Sequence, residues 1–347
     1  VLSFTPDALV RYGWNDRVLA LYNHALDAGQ RAAAEPLDVF PARIVRVERS
    51  ACWGICADGV ERMLRADPLP AVGDWVLTTT ESVRQVLPAW TALTRIDPDG
   101  MSVQTIAANV DIVAIVTPAD RSGAARVERE IALAWDSGAV PLVVVTKIDV
   151  DPGGVVDGLL QRLIGVDVIA VCATQAVGID ALRSRLGDAT AVLLGPSGAG
   201  KSTLANALLG AERLATGPVR EGDSRGRHTT TSRQLVALDG GGVLIDTPGL
   251  RSLGLRGDVD ITAGFAEIAE LAAQCRFGDC RHEAEPGCAI NAAVAAGEVS
   301  AERLASYHKL ARETAWEQRR HDPVLQRQER QVWKARTKQH RARDRFR

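Results

Sequence analysis

Residues Ala191–Leu209 read AVLLGPSGAGKSTLANALL, and this stretch decides the fold. Ala191 to Leu194 form the continuous apolar run of a strand buried on both faces in a parallel sheet. Ser202 to Leu209 have helix-forming composition, with apolar Leu204, Ala207 and Leu208. Between them Gly195, Pro196, Ser197, Gly198, Ala199, Gly200, Lys201 and Ser202 fit G-x-x-x-x-G-K-[ST] in the strand-then-helix setting that gives the motif its meaning. The glycines let the backbone curl until successive N–H groups point inward at phosphate oxygens, and the helix start, with Thr203, adds its positive end. Lys201 is expected to reach the β- and γ-phosphates, and Ser202 to hold Mg²⁺ through its hydroxyl.

The same strand and helix rhythm extends outward in both directions. Val110–Thr117 and Val140–Thr146 are continuous apolar runs, and Val127, Ile131 and Trp135 fall on one helical face before a stop at Gly138. Val166–Ala173 reads as a third strand, and RQLVAL and GGVLIDTPG supply two more after the glycine loop. This pattern predicts a doubly wound α/β domain, which binds its ligands at the carboxyl ends of the strands.

Further motifs stand at such strand ends. Thr146-Lys147-Ile148-Asp149 follows the strand VPLVVV and resembles the guanine-reading N-K-x-D of the GTPases. The Asp149 carboxylate can accept both N1–H and the exocyclic amine of guanine, whereas adenine offers neither donor there. A site built to pair such groups rejects the analogue lacking them by roughly 10⁴–10⁵. Thr146 stands where Asn is usual, and the plain alternative is an ordinary strand-ending Lys and Asp. Asp246-Thr247-Pro248-Gly249 resembles D-x-x-G, in which Asp246 meets Mg²⁺ through water and the Gly249 N–H meets the γ-phosphate. Leu250 follows, so no water-orienting Gln stands beside it. The polar stretch Gly226-Arg227-His228-Thr229-Thr230-Thr231 is expected to be a switch loop, with Thr230 joining Mg²⁺. His228 either positions water or is an exposed loop histidine.

The flanking regions differ in kind. Residues 1–34 read as mostly helical, with Trp14, Val18, Leu19 and Tyr22 at helical spacing. From Phe40 to about Arg95 short β-type runs (ARIVRVE, CWGICA, VGDWVLTT, SVRQVLP) broken by Gly, Pro and Asp predict a small antiparallel barrel of OB type. Such barrels bind RNA or serve as structural adaptors, and composition leaves both open. Cys52 and Cys56 are expected to be half-buried strand residues. Near the other end, Cys275-x4-Cys280-x-His282-x5-Cys288 offers three thiolates and one imidazole, a closed tetrahedral shell for one structural Zn²⁺.

Charge adds a partner class. The chain has 347 residues and a net charge of −2, yet Arg319–Arg347 holds 11 Lys or Arg against 3 Asp or Glu, so the body before it is acidic. A basic tail on an acidic body points to a polyanion, or is a solvated helix. No run approaches the roughly 18 uninterrupted apolar residues of a membrane span, and no secretory layout opens the sequence. A cytoplasmic location and a monomer are the expectations.

Order is the most telling feature, because the guanine element precedes the phosphate loop. Val171-Cys172-Ala173-Thr174, which resembles the base-supporting S-A-K loop, also precedes it. Loops gathered at one sheet edge tolerate cutting and rejoining of the chain. TKID, GPSGAGKST, GRHTTT, DTPGL and CRFGDCRHEAEPGCAI, in this order behind AVGDWV, resemble the circularly permuted small-subunit ribosome-biogenesis GTPases known as RsgA or YjeQ. The resemblance implies a multidomain chain. Residues 1–35 form a helical extension, 36–98 an RNA-binding OB-fold, 99–257 a circularly permuted P-loop GTPase domain, 258–318 a mostly helical zinc-binding domain, and 319–347 a basic tail. It further implies GTP hydrolysis stimulated by the small subunit, with rRNA as partner. The alternatives are an RNA-binding adaptor with a vestigial nucleotide pocket and a P-loop small-molecule kinase, the latter needing neither guanine reader nor zinc knuckle.

Overall fold

In the computed structural model the described residues are 6–32, 38–48, 50–96, 103–121, 123–151, 153–210, 233–246 and 260–321. The chain divides into two units, residues 1–253 and 254–347.

The first unit begins with helices α1 (Asp7–Val10) and α2 (Asp16–Ala32). Trp14, expected on a helix, lies in the turn between them, because Gly13 adopts φ +87° and breaks the helical path. Its ring meets Trp75 edge-on at 5.3 Å. Five strands follow: β1 (Phe40–Val47), β2 (Cys52–Cys56), β3 (Glu61–Leu64), β4 (Trp75–Thr78) and β5 (Val83–Val86). Strand β1 pairs antiparallel with β2 and β4, β2 with β3, and β4 with β5. A parallel bridge between Arg65 and Ser82 brings the outer ends of this set together. Ala42, Ile44, Cys52, Cys56, Leu64 and Val76 fill its core. Cys52 and Cys56 are therefore fully rather than half buried, and burial pushes the Cys52 thiol up to about 11. The stretch leading to the α/β region is a hairpin of β6 (Ala92–Ile96) and β7 (Val103–Ala108).

Next come β8 (Ile112–Pro118), α3 (Ala124–Asp136), β9 (Val140–Thr146), α4 (Val155–Arg162), β10 (Asp167–Val171) and α5 (Ile179–Leu186). They are followed by β11 (Thr190–Leu194), α6 (Lys201–Leu209), β12 (Arg233–Ala237) and β13 (Val243–Asp246). The sheet runs β10-β9-β8-β11-β13-β12-β1-β2-β3. Strands β10, β9, β8, β11 and β13 are mutually parallel, so the loops that follow them gather at one edge. Val144, Leu193, Leu204 and Leu208 are among the apolar side chains that pack the sheet against its helices. Strand β12 pairs antiparallel with β13 and, through Arg46↔Gln234 and Val47↔Arg233, with β1. The N-terminal strands and the α/β region thus share one sheet.

Arg43 on β1 ties these parts together from inside. Its guanidinium is fully buried and donates to the Tyr12 carbonyl, to the Asn109 carbonyl at 3.4 Å and to Thr190 Oγ1 at 2.9 Å. It also lies 5.0 Å from the Trp75 ring centre. Burial lowers its pKa to about 10, against the pull of Asp111 and Asp74, so it stays charged at neutral pH. Asp111 in turn accepts from the Thr190 N–H at 2.8 Å and from Trp90 Nε1 at 3.2 Å.

The second unit contains α7 (Ala266–Ala272), α8 (Ala289–Ala296) and α9 (Ala301–His321). Phe265 is fully buried under Arg303, whose guanidinium lies 4.1 Å from the ring centre and reaches Glu267 at 2.7 Å. Only the first residues of the basic tail fall on α9, and the rest of it lies outside the described residues.

Two outcomes follow from the buried charges. Arg43→Met would leave the surrounding carbonyls and carboxylates without their cation and should cost the first unit about 3–5 kcal/mol in denaturant unfolding. An unchanged midpoint would contradict its role. Burial also raises Asp74 to about 6, above its usual value near 4. The folded state then binds a proton that the unfolded chain has already lost, so this group makes stability fall as pH rises from about 4 to about 6. Asp74→Asn should flatten that slope, as read from urea unfolding at several pH values.

Candidate nucleotide site and metal centre

The phosphate loop leaves β11 and lands on α6 in the predicted setting. Gly195 adopts φ +147°, and a Cβ there would lie 2.3 Å from the Val116 carbonyl oxygen, so the loop sits directly on the end of β8. Gly200, at φ +88°, supplies the left-handed step into α6. Lys201 Nζ donates to the carbonyls of Gly195 at 2.7 Å and Pro196 at 2.8 Å, spanning the loop. Ala199 is buried, whereas Ser197, Gly198 and Ser202 are exposed along the rim, with Thr203 half-buried behind them. Leu204 and Leu208 anchor α6 in the core.

The TKID stretch begins on the last residue of β9, the strand next but one to β11 in the sheet. Thr146 is buried, and its hydroxyl donates to the Ala199 carbonyl at 2.6 Å, joining this stretch to the phosphate loop. Lys147 takes a left-handed φ of 58° and its Nζ lies 4.0 Å from Asp120, while Ile148 is half-buried. Asp149 is exposed, and its Oδ1 accepts from Cys172 Sγ at 3.3 Å. Cys172 is also 3.3 Å from Thr174 Oγ1, and Ala173 is half-buried beside it. The structure therefore brings Thr146 to the phosphate loop and Asp149 to the Cys172 loop. Asp120 was not singled out in the sequence, although its place just after the end of β8 was a signal. Asp246 ends β13 beside β11. His228, Thr230 and Gly249 lie outside the described residues.

In the second unit Cys275, Cys280, His282 and Cys288 hold their ligand atoms within 4.8 Å of one another. Cys275 Sγ lies 4.0 Å from Cys288 Sγ, and each is 3.6 Å from His282 Nδ1. A tetrahedron with metal–sulfur bonds of about 2.3 Å has sulfur–sulfur edges of about 3.8 Å, so the donor set fits a tetrahedral metal. The Asn291 N–H donates to Cys288 Sγ at 3.4 Å, and Glu285 gathers the N–H groups of Arg281, Glu283 and Ala284 to fix the loop.

The RsgA GTPase family model matches residues 86–256. A Streptomyces coelicolor protein named small ribosomal subunit biogenesis GTPase RsgA is 48% identical over 325 residues, covering 88% of this chain and 86% of its own. The chain belongs to the RsgA family of GTPases. A further RsgA from Opitutus terrae is 41% identical over 365 residues, covering 96% of this chain and 97% of its own. Among solved structures, YjeQ from Thermotoga maritima superposes with TM-score 0.63 at 24% identity, over 80% of this chain and 98% of that one. YloQ, described as a circularly permuted GTPase, gives 0.58 at 22%, over 81% and 97%. The RsgA fold explains the motif order: β9 and β10 precede β11 in sequence yet end at the same sheet edge. Among the described residues no helix is long and apolar enough to cross a membrane.

Because a side chain at Gly195 would strike the backbone of β8, Gly195→Ala should weaken guanine nucleotide binding by about tenfold or more in calorimetry. Retention of full affinity would contradict the close approach.

Proposed function

We propose that this chain hydrolyses GTP to GDP and phosphate while assisting maturation of the small ribosomal subunit, in the cytoplasm. The observation that carries the reading is the joining of a guanine-type reader to a phosphate loop through Thr146 and Ala199. Its relatives in Streptomyces coelicolor and Opitutus terrae bear the name small ribosomal subunit biogenesis GTPase. In this reading Asp149, with Thr146, Lys147, Ile148, Cys172 and Ala173 around it, selects guanine, and residues 195–203 cradle the phosphates. Ser202, Thr230 and Asp246 serve Mg²⁺, which polarises the transferred phosphoryl group when bound. Lys201 steadies charge on the β- and γ-oxygens, and His228 orients the attacking water.

Residues 36–98 are assigned as an OB-fold that meets rRNA. The support is the strand order β3-β2-β1-β4-β5 with the parallel bridge from Arg65 to Ser82, an arrangement suited to a small closed barrel. Residues 99–257 are the permuted GTPase domain, 258–318 the zinc domain, and the basic residues of 319–347 complement a polyanion. Zinc suits the three thiols and one imidazole better than a hard cation, and such a closed shell is structural.

GTP turnover with and without purified small subunits tests the reading. Subunits should raise the rate, and Lys201→Ala should abolish it in both conditions. Turnover indifferent to subunits would refute the assignment to their maturation. Elemental analysis should find one zinc per chain, lost on Cys280→Ser, and an absence of stoichiometric zinc would refute that centre.

A further inference from the structure

Guanine presents donors on one side, N1–H and the exocyclic amine, and acceptors at O6 and N7. A carboxylate serves the donors, but N7 needs an N–H or O–H from the protein. Thr146 opens the guanine element, so its side chain is the first group to consider. It is 3% exposed, and its hydroxyl donates to the Ala199 carbonyl at 2.6 Å. A threonine hydroxyl has a single hydrogen, and here the phosphate loop takes it. Asparagine in the same place has two amide hydrogens, enough for loop and base together. The side chain also lies against the loop, since a Cβ on Gly200 would stand 3.6 Å from Thr146 Oγ1.

Asp149 is held independently. Cys172 Sγ donates to its Oδ1 at 3.3 Å. Cys172 is itself fixed by reciprocal backbone hydrogen bonds with Val177, both 3.0 Å. The loop then packs so tightly that a Cβ at Gly178 would lie 2.2 Å from the Ala170 carbonyl oxygen. Reading of the donors and holding of the loop thus fall to different side chains.

We infer that Thr146 is a positioning residue that tethers the phosphate loop and leaves N7 unread, so that guanine is selected through its N1–H and amine edge by Asp149, steadied by Cys172. This rests on the guanine reading proposed above and departs from a division in which the first residue of the element also reads the base.

The test is the affinity of the full chain for GDP, for IDP, which lacks the exocyclic amine, and for 7-deaza-GDP, which lacks N7. Wild type should bind 7-deaza-GDP within about twofold of GDP and IDP at least about tenfold more weakly. Thr146→Val deletes the hydroxyl while keeping the shape. It should weaken GDP and 7-deaza-GDP together by about three- to tenfold and leave the GDP-to-IDP ratio unchanged, with Thr146→Ser restoring both affinities. A wild-type preference for GDP over 7-deaza-GDP above about fivefold would overturn the inference, as would a Thr146→Val variant with a shifted GDP-to-IDP ratio. Equal affinity for GDP and ADP is a separate outcome, which refutes the guanine reading itself and the inference with it.

Discussion

The phosphate loop is pinned from two neighbouring strands at once. Gly195 rests on the Val116 carbonyl at the end of β8, and Ala199 accepts the Thr146 hydroxyl from the end of β9. A glycine loop left free would sample many backbone states and lose that entropy on meeting a phosphate. Held in this way it is shaped beforehand. The helix start at Lys201 and the reach of the lysine across the loop to the Gly195 carbonyl both sit on that pinned backbone.

Permutation is tolerated because the site consists of strand ends rather than of a chain order. Strands β8, β9, β10, β11 and β13 run parallel, so their carboxyl ends meet whichever is made first. The arrangement adds a connection of its own. Gln234 on β12 is in register with Asp246 on one side and with Arg46 of β1 on the other. Arg46 is in register with Trp53 and stacks on it at 4.0 Å. The end of β13 and the N-terminal strands are therefore two backbone ladders apart, while Arg43 locks β1 to the start of β11. Strand β12 is thus hydrogen-bonded to β13 along one edge and to β1 along the other.

Much of this was legible because it was local. Val140–Thr146 is a strand with the expected bounds, Gly138 ends α3 at φ +85°, and Cys275, Cys280, His282 and Cys288 come together as a possible metal-binding cluster. These features depend on apolar runs, positive φ and short ligand spacing, which a sequence displays directly. Others depend on partners far along the chain. Strand β3 has only Leu64 turned fully inward, so its pattern is weak, and pairing with β2 defines it. The full burial of Cys52 and Cys56 comes from closure of the five-strand set. Thr146 stands in place of the usual asparagine, and the partner of its hydroxyl is a carbonyl on a loop 53 residues away, which no local pattern marks. The sharing of one sheet by β1 and β12 has no local signature at all.

Calorimetric titration of GTP and ATP into the chain decides whether these permuted strand ends form one guanine-selective site. GTP should bind with a preference of at least about a thousandfold, reduced by Asp149→Asn, which replaces an acceptor oxygen with a donor. Comparable binding of ATP and GTP by the wild-type chain would contradict the account.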